Sequence, residues 1–166
     1  EGMIATSEIA TKIADFTYSK YMRDTRQALK DFDDGKDSML IDDMVNMNIM
    51  LTGMVSDLST GGKQLAVAHN FYDAVCCMYK DVRRKYLHGE IVAMALPLQL
   101  AVNGRPEAEI EELKAFLREV GIPVSIREAG MPQDGLEELI TYVHRVTIPD
   151  DMELLEQIRD GFKYIM

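Results

Sequence analysis

Apolar side chains recur every three or four positions along most of this chain. Between Ile4 and Phe32 they fall at Ile9, Ile13, Phe16, Tyr21, Leu29 and Phe32, a spacing that gathers side chains on one side of an α-helix. One long helix, or two collinear ones, is expected there. Asp33-Asp34-Gly35 breaks the pattern, because such residues favour turns over helix continuation. From Met39 to Met54 the spacing resumes with dense Met and Leu, predicting a second long helix. Ser59-Thr60-Gly61-Gly62 reads as a turn whose hydroxyls cap a third helix carrying Leu65 to Tyr79.

Leu87-His88-Gly89-Glu90 opens a fourth helix running to about Val102, with Pro97 inside it as a kink. In the fifth, Pro106 suits the first turn and Glu107, Glu109 and Glu111 favour the positive end of the helix dipole; Gly121 and Pro123 then end it. Leu136 to His144 and Asp151 to Tyr164 make two last helices, separated by Ile148-Pro149-Asp150. No stretch sustains the alternation of a strand, and only Pro123 to Ile126 has a short extended look. The expected fold is therefore all-α, a multi-helix bundle of about six to eight helices in one helical domain spanning residues 1–166. No glycine-rich loop follows a strand, so nothing here forms a dinucleotide fold by itself.

Composition narrows the function classes. A formal charge of −10 opposes nonspecific binding to nucleic acid or anionic lipid. The basic tract Lys80, Arg83, Arg84 and Lys85 is interrupted by Asp81 and reads as a solvated helix end. Cys76 and Cys77 are adjacent and cannot form an ordinary disulfide, which fits a reducing, cytoplasmic setting. The longest apolar run, Ile91 to Leu98, falls far short of the ~20 residues needed to span a bilayer. The start at Glu1-Gly2, without an initiator Met, suggests a fragment or a processed chain. The methionine cluster Met39, Met44, Met47, Met50 and Met54 is expected to fill a core.

The candidate chemistry begins with two imidazoles. His69 lies within the third helix and His88 at the start of the next, so an antiparallel hairpin can bring both rings to one point, a plausible geometry for metal ligands. Asp73 lies one turn beyond His69, where it can orient an imidazole or contact substrate, or serve as an ordinary polar position. Cys76 shares that face, as a thiolate ligand or as a packed cysteine. His144 has no accompanying motif and reads as structural.

The sequences Thr60-Gly61-Gly62-Lys63-Gln64-Leu65-Ala66-Val67-Ala68-His69 and Leu87-His88-Gly89-Glu90-Ile91-Val92-Ala93 resemble two signatures of the glycerol dehydrogenase-like family. Leu98-Gln99-Leu100 and Val120-Gly121-Ile122-Pro123-Val124 extend the likeness downstream, and Asn48 to Asp57 extends it upstream, so that it covers most of residues 44 to 130. The His-Gly-Glu motif also occurs in dehydroquinate synthases and glycerol-1-phosphate dehydrogenases. Iron-containing alcohol dehydrogenases usually differ after that histidine. The chain thus resembles the C-terminal helical domain of this superfamily, closest in motif to its glycerol dehydrogenase side.

The resemblance implies that His69 and His88 bind a divalent metal, Zn or Fe, which activates the hydroxyl of a small alcohol or polyol for hydride transfer to NAD. NAD would require an N-terminal nucleotide-binding domain that this chain lacks, so the domain would not turn over alone. A Gly-x-x-Asp ligand motif is expected at the start of the helical domain, but Gly2-Met3-Ile4-Ala5 ends in Ala5. Glu8, one turn on, is the candidate replacement ligand. The alternative is a noncatalytic homologue without metal, used for protein association; a homo-oligomer is compatible with either reading.

Overall fold

The computed structural model describes residues 4–59 and 66–166. Every regular element among them is helical, none a strand. The chain divides into two compact units, Glu1–Gln64 and Leu65–Met166.

In the first unit, helix α1 (Ala5–Asp33) packs against α2 (Met39–Asn46), a five-residue π-helical turn (Met47–Leu51) and α3 (Thr52–Leu58). The expected break at Asp34-Gly35 holds: Gly35 takes φ +66°, a left-handed conformation that costs glycine little. Asp31 organises the connection by accepting hydrogen bonds from Gln27 Nε2 and Ser38 Oγ, both at 2.8 Å. Ser38 also caps α2, its Oγ accepting from the Leu40 amide at 3.3 Å.

The single second helix expected from Met39 to Met54 is instead interrupted at its centre. The Thr52 amide bonds to Met47 O, one residue beyond the α-helical partner. The Thr52 hydroxyl donates to the carbonyls of Met47 (3.2 Å) and Asn48, a side-chain intrusion of the kind that distorts a helical ladder. Met44 and Met47 fill the small core with Ala28, whereas Met39, Met50 and Met54 are exposed, so core filling holds for only part of the methionine cluster.

In the second unit, α4 (Val67–Met78) buries Val67, Ala68, Phe71, Ala74 and Val75 and packs against α9 (Leu136–Thr147) and α6 (His88–Met94). The expected turn at Thr60 to Gln64 and the expected helix start at Leu65 lie outside the described residues. Short α5 (Lys80–Lys85) follows an abrupt change at Tyr79, with φ −126° and ψ 63°, and its Lys80, Arg84 and Lys85 are solvent-exposed as expected.

The fourth helix is two helices, α6 and α7 (Leu96–Val102), parted at Ala95 rather than simply kinked at Pro97. Proline lacks the amide that would bond Ala93 O, and its ring crowds that carbonyl. The chain answers two residues earlier with a tighter bond, Ala95 N to Val92 O at 3.1 Å.

Pro106 is the residue before α8 (Glu107–Glu119), and Gly121 at φ +79° follows its end. Pro123 to Ile126 forms no strand; the Ile126 amide instead bonds to Ile165 O at 2.7 Å, tying this connection to the C-terminus. Helix α10 (Met152–Gly161) begins at Asp151, whose carboxylate accepts from the Leu154 amide at 3.0 Å. It packs on α7 and α9, with Phe162 beside Phe71, their ring centroids 6.2 Å apart.

Candidate metal centre

The two histidines singled out by motif are brought together. His69 is the third residue of α4 and His88 the first residue of α6; both are exposed, and their ring centroids lie 5.6 Å apart. Local sequence explains each placement. Val67 and Ala68 are buried in the core, which turns His69 outward at the beginning of α4. Glu90 Oε2 accepts from the Leu87 amide at 2.7 Å, closing the first turn of α6 and fixing the backbone that carries His88.

Two imidazoles that share one tetrahedral ion, at about 2.0–2.1 Å from each nitrogen, hold their ring centroids roughly 5 Å apart. The observed separation fits that arrangement. Neutral imidazole suits zinc or iron, and exposure leaves room for water or a substrate oxygen at the remaining positions. Among the described residues, however, no group of three His, Cys, Asp or Glu side chains converges as a cation site.

The other candidates have surroundings of their own. Ala5 opens α1 and Glu8 pairs with Lys12 at 3.1 Å, both in the first unit; Gly2 and Met3 of the expected ligand motif lie outside the described residues. Asp73 is exposed, and its charge helps raise the pKa of the Tyr142 hydroxyl after the larger effects of Cys77 and burial. Cys76 is half-buried and directed to Tyr72 and Arg83. His144 is buried, its Nε2 2.7 Å from Asp151 O, and links the end of α9 to the start of α10 as a structural residue.

One participant went unmarked in the sequence. Tyr72 stands edge-to-face with His88, at 4.2 Å between ring centroids and an interplanar angle of 76°. Its hydroxyl accepts from Arg83 Nε at 3.0 Å, and the Arg83 guanidinium lies over its ring at 5.5 Å. Cys76 and burial push the Tyr72 hydroxyl pKa up, and Arg83 opposes them. The only advance signal was Tyr72 lying about one turn from His69.

No family model matches the chain. Glycerol dehydrogenase from Thermotoga maritima is 33% identical over 82 residues, 49% of this chain and 21% of that protein, and the match falls in its C-terminal part. Over that stretch the chain is homologous to glycerol dehydrogenase. The crystal structure of a probable glycerol dehydrogenase from Sinorhizobium meliloti 1021 superposes with a TM-score of 0.70 at 22% identity. That likeness covers 94% of this chain and 44% of the other, and it establishes a shared fold. The chain thus spans less than half the length of the glycerol dehydrogenases it matches. No helix among the described residues is long and apolar enough to cross a membrane.

Proposed function

We propose that this chain is the metal- and substrate-binding helical domain of an NAD-linked alcohol or polyol dehydrogenase, with His69 and His88 as two of the ligands of a divalent cation. The observation that carries this reading is the approach of the two imidazoles to 5.6 Å across the α4–α6 pair. Homology to glycerol dehydrogenase supports the substrate class. When bound, such a cation draws electron density from a substrate hydroxyl and lowers its pKa, easing loss of hydride to a nicotinamide. The contribution of this chain is to hold two imidazole donors at a spacing set by buried neighbours and to leave their outer side open. Nucleotide binding falls to a separate domain, because the described residues offer no strand from which a phosphate loop could spring.

The test is metal content of the purified chain after equilibration with zinc. Near one equivalent, lost in both His69→Ala and His88→Ala with helicity retained by circular dichroism, is the expected result. Protein that stays metal-free at saturating zinc overturns it. The second reading, a noncatalytic domain used for association, draws on Ala5 at the position of the expected carboxylate; the same metal-free result favours it.

A further inference from the structure

We propose that Tyr72, clamped by Arg83, is the positioning residue that sets the ring orientation of His88 for metal binding, an inference that rests on the reading of His69 and His88 as ligands. His88 needs such a device. It is exposed at the first position of α6, and among the described residues no hydrogen bond holds either of its ring nitrogens. Metal-binding histidines are usually fixed through the ring nitrogen that does not bind the metal, by a carboxylate, a backbone carbonyl or water. Here the orienting contact is a T-shaped pair of rings: Tyr72 at 4.2 Å and 76° lies closer to His88 than His69 does.

Tyr72 can orient a neighbour because it is itself immobilised. Its ring packs on the core of the second unit, and its hydroxyl is held by Arg83 Nε at 3.0 Å. The guanidinium covers the ring face at 5.5 Å, and its Nη1 donates to the Tyr86 carbonyl at 3.4 Å, two residues before His88. Arg83 thus ties the tyrosine on α4 to the segment leading into α6. This connection fixes both partners of the ring contact from one cation.

The experiment compares the wild-type chain with Tyr72→Leu, Tyr72→Phe and His88→Ala. It uses zinc affinity by chelator competition, the cobalt(II) absorption spectrum, and the His88 ring proton shifts in metal-free protein. Tyr72→Leu removes ring and hydroxyl and is expected to lose the ring-current shift of His88, alter the cobalt band and weaken zinc about tenfold, a size typical of residues that orient ligands. Tyr72→Phe keeps the ring but not the Arg83 bond, and is expected to fall between wild type and Tyr72→Leu in all three readouts; it also serves if Tyr72→Leu fails to fold. A general loss of stability would leave the cobalt band and the His88 shift of the folded protein unchanged. Zinc binding that depends on His88 but has wild-type strength and spectrum in both Tyr72 variants overturns the role of Tyr72 alone. Absence of zinc binding by the wild-type chain overturns the metal reading, and this proposal with it.

Discussion

Small residues decide close contacts that their own chemistry does not announce. Gly161 ends α10 against α7: a Cβ built there would stand 2.7 Å from Leu98 Cδ1, 3.5 Å from Ala101 Cβ and 3.6 Å from Leu98 O. Leu98 is fully buried, so its side chain can yield only by displacing packed neighbours. Replacing Gly161 by valine should therefore destabilise the protein by about 1–3 kcal/mol, the usual cost of overpacking. Chemical denaturation measures it, and wild-type stability in Gly161→Val would show that α7 and α10 separate easily. The same reasoning applies to α1, where the residues buried against neighbouring helices are Ala10, Thr17, Ala28 and Asp31, while the bulkier Ile9, Phe16, Leu29 and Phe32 are exposed. Helical spacing revealed the helix, but spacing along one helix does not say which of its stripes the neighbouring helices cover.

At the scale of helices, charge contributes chiefly where α1 meets α2. Asp24 is flanked by Arg23 and Lys20, at 2.8 and 3.0 Å, and Lys20 also pairs with Asp43 of α2. Hydrogen bonds from Arg23, then Lys20, hold the Asp24 carboxyl well below the usual carboxylate range. Ser38 and then Gln27, with a smaller effect of Lys36, lower that of Asp31. A depressed carboxyl pKa stabilises the folded form above the unfolded value of about 3.9 and loses that contribution as pH falls toward the folded value. Acid should therefore loosen the α1–α2 hairpin below about pH 4. Asp24→Asn should lower stability at neutral pH and flatten that acid dependence. Urea unfolding at a series of pH values checks this, and a slope unchanged by the substitution would contradict it.

Across the whole molecule, the two units differ in how much apolar surface they bury. The first rests on Ala28, Met44 and Met47, with Tyr21, Leu40 and Leu51 packed around them. The second has a continuous core drawn from α4, α5, α6, α7, α9 and α10, anchored by Phe71, Leu98, Ile140, Ile158 and Phe162. Local opening is cheaper where fewer buried contacts must be broken. Hydrogen exchange should be faster at Met44 and Met47 than at Phe71, Leu98 and Ile158; equal protection across both units would show that they open together. The candidate metal centre belongs to the better-packed unit, as suits donors that must keep a fixed spacing.

Periodicity, turns and caps are local, and for that reason the sequence alone determined the all-helical class, the breaks at Gly35 and Gly121 and the approximate course of most helices. The π-helical turn at Met47–Leu51 and the parting at Ala95 escaped it, because each depends on how one side chain competes with or removes a backbone hydrogen bond. Motif spacing likewise singled out His69 and His88. Only the packing of α4 against α6 decided that their rings stand 5.6 Å apart and that Tyr72 forms a T-shaped pair with one of them. Distances between rings on different helices depend on helix crossing and side-chain burial, and neither is encoded by the spacing of residues along one helix.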